Sequence, residues 1–228
     1  MVKIMACGSM TPEDIELLSM SGIDAIGLIT EVRQELACNL PGQTARELQN
    51  HIPPGILSVL ILTKDDPDEI MRLVNQVKPD VVQLHGNVSS RDISLLKENL
   101  PVRITRALLV DENKSDRAEL LYRQAREYLG AGADALLLDS SHEGKYGSTG
   151  RTVPVELARQ LRDAILPHPL ILAGGLNRDN IVSTLAAVQP YAVDVFTGIT
   201  AKGRLSPSKV DEFVKLVRST SRQGDDRQ

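Results

Sequence analysis

Short apolar runs bounded by glycine, proline and polar residues alternate along the chain with stretches whose apolar residues recur every three or four positions. The runs read as buried strands and the stretches as amphipathic helices packed on them. Val2-Lys3-Ile4-Met5-Ala6 is the first strand. A helix begins near Pro12, because Thr11 suits the cap and Pro12 the first helical position; Ile15, Leu17 and Leu18 give it an apolar stripe and Gly22 suits its stop. Ile23 to Ile29 is the second strand and Ile56 to Leu62 the third. A helix over 66–77 follows, with Ile70, Leu73, Val74 and Val77 on one face before Pro79. Further on come a strand at Val81 to Leu84, a helix near 89–98, a strand over 102–108 and a helix over 115–129 ended by Gly130. The pattern closes with strands at Ala135 to Leu138, Leu170 to Ala173 and Val193 to Val195, and helices over 154–165, 177–188 and 206–218.

Eight strands alternating with helices at this spacing imply a parallel sheet, and eight such units close naturally into a single-domain α/β fold, the (β/α)8 or TIM barrel. An open doubly wound sheet is the alternative. The barrel is favoured because Cys7, His85, Arg106, Asp139, Gly174-Gly175 and Thr197-Gly198 all fall at or just beyond the C-terminal ends of their strands, which in a barrel share one mouth. The barrel is assigned to residues 1–218. Residues 219–228 are polar and without periodicity, and are expected to form a disordered, frayed tail.

Composition narrows the partners. The net charge of -4 comes from acidic and basic residues mixed along the chain, with no electrostatic footprint for nucleic acid. Cys7 and Cys38 make no disulfide framework, and neither stands in metal-ligand spacing with His51, His85, His142 or His168. A reducing, cytoplasmic setting and no metal are expected. The longest apolar run, Ile56 to Leu62 interrupted by Ser58, is too short to span a bilayer, and no signal-peptide core opens the chain. A soluble protein with no membrane partner is expected.

The chemistry concentrates between Asp134 and Thr152. There an apolar run ends on Asp139, and a loop with Gly144, Gly147 and Gly150 follows. Asp139 reads as a carboxylate delivered to a cleft, or as a helix cap or loop acid. The 147–150 segment reads as a lid or simply as a mobile loop. Leu170-Ile171-Leu172-Ala173 runs directly into Gly174-Gly175-Leu176-Asn177. With Thr197-Gly198, these glycines occupy the two loops that most often hold phosphate in this architecture; the alternative is that they only permit tight turns. Cys7 is a free thiol at a strand end, either inert filler or a reactive group. Paired across a mouth, a thiolate and a carboxylic acid can move a proton between carbon and oxygen, as sugar-phosphate isomerisation requires. His85 reads equally as a ligand contact and as a structural group.

Cys7-Gly8 with Thr11-Pro12-Glu13-Asp14, Val82-Gln83-Leu84-His85-Gly86, Leu137-Leu138-Asp139-Ser140, Gly147-Ser148-Thr149-Gly150-Arg151-Thr152 and Leu172-Ala173-Gly174-Gly175-Leu176-Asn177 together resemble the phosphoribosylanthranilate isomerase family. The resemblance implies a (β/α)8 enzyme of tryptophan biosynthesis, without cofactor, performing the Amadori rearrangement of a small phosphoribosyl substrate. It makes Cys7 the general base and Asp139 the general acid, with the thiol ionised, the acid protonated and their pKa values pushed in opposite directions. A monomer or homodimer is expected.

The chain departs from the family where the substrate carboxylate is held. The family arginine is missing from Glu31-Val32-Arg33-Gln34-Glu35-Leu36-Ala37-Cys38-Asn39, and Arg33 is its expected replacement, with His85 and Arg106 as further substrate contacts. Lys3 stands two residues further from Cys7 than in the family. Phe196-Thr197 replaces a serine pair and Leu205-Ser206 a lysine-aspartate pair. Competing readings are a paralogue acting on another phosphoribosylated amine and a non-catalytic barrel that binds a phosphosugar.

Overall fold

Alternate residues of each parallel strand point to opposite faces, so a sheet that closes on itself sorts them into one set facing inward and one facing the helices. In the computed structural model, which describes residues 1–111, 118–142, 145–146 and 152–225, that sorting runs through eight strands. These are β1 (Lys3–Cys7), β2 (Ala25–Ile29), β3 (Leu57–Leu62), β4 (Val81–Leu84), β5 (Arg103–Asp111), β6 (Ala135–His142), β8 (Leu170–Leu172) and β9 (Ala192–Val195). A short strand β7 (Lys145–Tyr146) only forms an antiparallel hairpin with β6. Neighbours pair in parallel around the ring, β5 with β6 on one side and β1 with β9 at the seam, where Lys3 meets Ala192 and Met5 meets Asp194. The (β/α)8 barrel expected from the pattern is the observed architecture.

Helices α1 (Pro12–Met20), α2 (Gly42–Gln49), α3 (Pro67–Val77), α4 (Ser90–Asn99), α5 (Ala118–Gly130), α6 (Val155–Ala164), α7 (Ile181–Val188) and α8 (Pro207–Asp225) cover the outside. The outward strand residues Ile4, Ala6, Ile26, Leu28, Leu60, Leu62, Val82, Leu84 and Ile104 are all fully buried against them. The polarity of the first loop is set by a capping box: Thr11 Oγ1 accepts from the Asp14 N–H, while the Asp14 carboxylate accepts from the Met10 and Thr11 N–H groups at 2.8 and 3.1 Å. The helix therefore starts only five residues after Cys7.

Several boundaries move. Helix α2 was not marked by the periodicity because it is short and polar; only Ala45 and Leu48 give it an apolar contact, with Gly42 buried at its start. β5 runs three residues beyond Leu108 because it stays paired with the long β6 through Asp111 and Ser141. The expected helix start at Ser115 lies outside the described residues. α7 begins at Ile181, since Asn177 and Asn180 close a turn ahead of it. The expected tail is also revised: α8 continues through Asp225, with no proline and no glycine before Gly224 to stop it, while residues 226–228 lie outside the description. The 147–150 segment, with its expected lid, lies there too, and so does Gly144.

α8 is tied to the entries of the first two strands. Arg218 donates to the carbonyls of Val2 and Gly22, both at 2.8 Å, and to Asp24 Oδ2 at 2.6 Å, joining the last helix to the first strand and to the entry of the second. Burial alone would disfavour the Asp24 carboxylate, but Arg218, the Ile4 N–H and Lys3 hold its pKa below the usual range. Arg218→Ala should lower unfolding stability by about 2 kcal/mol, the scale for hydrogen bonds to charged groups, and chemical denaturation with unchanged m-value is the measurement that checks it.

Candidate active site

Inward-facing residues of the last layer form a pocket at the C-terminal ends of the strands, lined by Cys7, Gln83, His85, Asp139, Gly174, Gly175, Asp194 and Thr197 among others. Cys7 ends β1 and is 2% exposed. Its thiol sits over Gly27 of β2, where even a methyl group would strike the sulfur. Across the seam, Cys7 Sγ donates to Asp194 Oδ1 at 3.0 Å. Burial, then Asp194 and the nearby Cys38 and Asp139, push the Cys7 thiol well above its ordinary value. A dry pocket that already holds two acids disfavours a further negative charge on the thiol, which runs against the ionised starting state that the resemblance implies. Burial likewise raises the Asp194 carboxyl to about 6, although the hydrogen bond from Cys7, the His85 ring and Gln83 all favour its ionised form.

Asp139, on β6, faces the same space and is 4% exposed. Its Oδ2 lies 3.4 Å from His85 Nε2, and its Oδ1 has no hydrogen-bond partner among the described residues. Gln83 Nε2 stands 3.5 Å from His85 Nδ1. A chain of side chains thus runs from Asp139 through His85 and Gln83 to Asp194 and Cys7, with one buried Asp139 oxygen left without a hydrogen bond among the described residues.

The two glycine loops meet beside this chain. Gly174 and Gly175 have φ of 85° and 60°, which only glycine adopts readily, and a Cβ on Gly174 would stand 2.7 Å from Ser140 Oγ and 2.9 Å from Asp139 Oδ1. Gly198, in the 3-10 turn Thr197–Ile199, presses on the Leu176 carbonyl so closely that a Cβ would collide with it. The Gly175 carbonyl accepts from Asn177 Nδ2 at 3.1 Å and Asn180 Nδ2 at 2.9 Å, which turns the loop. The N–H groups of Gly174, Gly175, Thr197 and Gly198 make no hydrogen bond to another described residue. Orphan donors gathered from two loops are what an anion needs.

The two arginines are placed elsewhere. Along 32–40, even-numbered residues turn inward and odd-numbered ones outward: Val32, Cys38 and Leu40 are buried, whereas Arg33, Glu35 and Ala37 are exposed. The loop does fold toward the mouth, but it presents Val32, Gln34 and Leu36 to the pocket. Arg33 instead pairs with Asp65 at 2.6 Å on the outside. Arg106 follows Thr105 on β5 and so faces the helices: its Nη1 donates to the carbonyls of Leu84 and Ala107 at 3.0 and 2.8 Å, and its guanidinium lies 4.7 Å from the centre of the Tyr128 ring. Neither arginine lines the pocket, because strand and loop parity turn both side chains away. Asp194, Gln83, Gln34 and Phe196, which the sequence reading left without a role in the site, line it instead. An acid in Ala-Val-Asp-Val and an amide in Val-Val-Gln-Leu are polar groups inside apolar strands, and that was the available signal.

A family model described as N-(5'phosphoribosyl)anthranilate (PRA) isomerase matches residues 4–216. Among curated relatives, N-(5'-phosphoribosyl)anthranilate isomerase 1 of Methanosarcina mazei is 33% identical over 222 residues, covering 95% of this chain and 94% of that protein. The corresponding isomerase of Methanothrix thermoacetophila is 35% identical over 219 residues, covering 96% and 99%. Of the solved structures, phosphoribosyl anthranilate isomerase from Thermotoga maritima matches with a TM-score of 0.79 at 26% identity, covering 96% of this chain and all of that one. A phosphoribosyl anthranilate isomerase in complex with reduced 1-(o-carboxyphenylamino)-1-deoxyribulose 5-phosphate matches with a TM-score of 0.76 at 25% identity over the same shares.

The raised acid has a sign that can be measured. A carboxyl at about 6 in the folded chain against the ordinary 3.8 binds its proton more tightly when folded, so its effect is absent below about pH 4 and costs stability as pH rises through 6. Two units correspond to about 3 kcal/mol. The stability advantage of Asp194→Asn over the parent should therefore grow by about that amount between pH 4 and pH 7, as followed by denaturation at a series of pH values.

Proposed function

The chain belongs to the N-(5'-phosphoribosyl)anthranilate isomerase family, an isomerase of tryptophan biosynthesis, and we propose that Cys7, Asp139 and Asp194 divide the proton transfers of its Amadori rearrangement between them. The observation that carries this division is the Cys7 Sγ to Asp194 Oδ1 hydrogen bond, which gives the protonated thiol somewhere to send its proton. The phosphate of the substrate would lie on the orphan N–H groups of Gly174, Gly175, Thr197 and Gly198, holding the ribose over the acid and base.

Asp139 then donates through its Oδ1 to the furanose ring oxygen, and the C1–O bond breaks to give a protonated Schiff base. Asp194 takes the thiol proton as the positive charge builds on the substrate nitrogen, because a cation in this dry pocket favours the thiolate it faces. The Cys7 thiolate removes the proton from C2, the electron pair moves into the C1–C2 bond, and the enolamine forms. Its tautomerisation gives the aminoketose. The proton count balances once Asp139 recovers a proton equivalent to the one Cys7 gained at C2, with His85 standing 3.4 Å from its Oδ2 to pass it.

The aryl end would be gripped differently from the family pattern. Ile29, Val32, Leu36 and Ile61 wall the β2–β3 side of the pocket, Phe196 after β9 adds a further apolar face, and Gln34 is the polar residue that the loop turns inward. The ring would be held by apolar contact and its carboxylate by the Gln34 amide and water. Arg33 keeps its pairing with Asp65 in this reading.

Two measurements test the assignment. Asp139→Asn should retain binding of the reduced product analogue while kcat falls at least about a hundredfold, and Cys7→Ser should do the same; activity within a few-fold of the parent removes the residue from the mechanism. The acid limb of the kcat/KM profile should rise through about pH 6, as Asp194 ionises and becomes able to accept the thiol proton, and should be absent from the residual activity of Asp194→Asn. A limb that persists unchanged in the variant would assign it to another group.

A further inference from the structure

The loop that walls the aryl side of the pocket is tied to itself. The chain leaves β2 through Glu31, whose φ of 46° is uncommon for a residue with a side chain, and the Glu31 carboxylate accepts from Arg72 Nη2 at 3.1 Å. It returns at Leu40, whose N–H donates to the Ile29 carbonyl at 2.8 Å and whose carbonyl accepts from the Glu31 N–H at 3.0 Å. One side chain spans the two arms beyond that closure: Asn39 Oδ1 accepts from the Val32 N–H at 3.0 Å, and Asn39 Nδ2 donates to the Val32 carbonyl at 2.9 Å. The reverse orientation of the amide would set oxygen against oxygen and nitrogen against nitrogen, so it is fixed.

These two bonds hold the peptide groups on both sides of Val32. A peptide group is planar, so holding the one before a residue and the one after it sets that residue's φ and ψ, and with them the direction in which the chain leaves it. The second of the two groups is held from its other end as well, since the Arg33 N–H donates at 2.9 Å to Oγ1 of Thr63, a buried residue directly after β3. The inward and outward alternation of residues 33–36 starts from this fixed point. Val32, Gln34 and Leu36 line the pocket, and Arg33 lies outside on Asp65. Neither Asn39 nor Thr63 lines the pocket.

We propose that Asn39 and Thr63 are positioning residues for the aryl end of the substrate: they fix the phase of the loop, and the phase decides that Val32, Gln34 and Leu36, and not Arg33, meet the ring and its carboxylate. This inference rests on the isomerase reading of the site and adds to it the residues that select the substrate-facing side of the loop. Because that reading puts the phosphate on the loops after β8 and β9, loss of either side chain's bonds weakens the grip on the aryl group and leaves the grip on a bare phosphosugar in place.

The test compares the reduced product analogue, which carries both ends, with ribose 5-phosphate, which lacks the aryl group, by calorimetric titration of the full chain. Asn39→Ala should weaken binding of the analogue about tenfold, the scale of the two hydrogen bonds removed, and that of ribose 5-phosphate less than about twofold. Thr63→Val, which removes the hydroxyl acceptor at nearly constant volume, should weaken the analogue about threefold with the same split, and it keeps the test open if the asparagine variant does not fold. In turnover, both variants should raise KM for phosphoribosylanthranilate while kcat changes less than about twofold. Gln34→Ala should weaken the analogue much less in the Asn39→Ala background than in the parent, because an amide already out of place has little contact to lose. Equal weakening of the two ligands, an analogue affinity that does not move, or strictly additive effects at 34 and 39 would overturn the positioning role. A parent chain that binds ribose 5-phosphate and not the analogue would instead overturn the isomerase reading on which the role rests.

Discussion

Closure of the sheet between the first and last strands is the constraint on which everything else rests. Once β1 pairs with β9, each strand has two neighbours, and whether a residue faces the centre or the helices is decided by its place in the alternation. The seam sets Cys7 beside Asp194, 187 positions away in the chain, at hydrogen-bond distance. Arg218, reaching from the last helix to Val2, Gly22 and Asp24, ties the end of the chain to the entries of the first two strands. The joint that completes the barrel is also the joint that sets the thiol against the acid.

The chemistry of that half follows from dryness. Two carboxyl groups and a thiol share a pocket in which Cys7 and Asp139 are 2% and 4% exposed and Asp194 is partly buried, and an additional negative charge there is expensive. The Cys7 thiol answers by donating to an acid whose carboxyl is raised to about 6. In the proposed division of the proton transfers, the base is made available by the arrival of positive charge on the substrate, which would tie the step at C2 to the ring opening that precedes it.

Much of this was legible in the chain. Eight alternating strands, the glycine loops after β8 and β9, and the acid and thiol at strand ends all follow from periodicity and punctuation, and the family resemblance rests on the same residues. Position at a strand end was not enough for Arg106, because facing in or out is a matter of parity, and its even-numbered place beside inward Thr105 and Ala107 sends it to the helices. Arg33 is turned away from the pocket for the same reason, since Val32, Gln34 and Leu36 alternate with it. Asp194 and Gln83 were hidden by the opposite error: each sits in an apolar run that reads as plain strand, and only closure reveals that their face is the catalytic one. Helix α2 escaped because its apolar contact is two residues wide.

The ring of Phe196 has an effect beyond its place in the pocket wall. A side chain at position 8 would begin 2.6 Å from the Phe196 ring, and Gly8 holds a φ of 101° besides. Position 8 is thus doubly closed to a side chain, once by its own backbone and once by the ring. The turn that follows Cys7 is thereby pressed against the chain that follows Asp194, so the two residues joined by the thiol–carboxyl hydrogen bond are also braced by the packing of their neighbours.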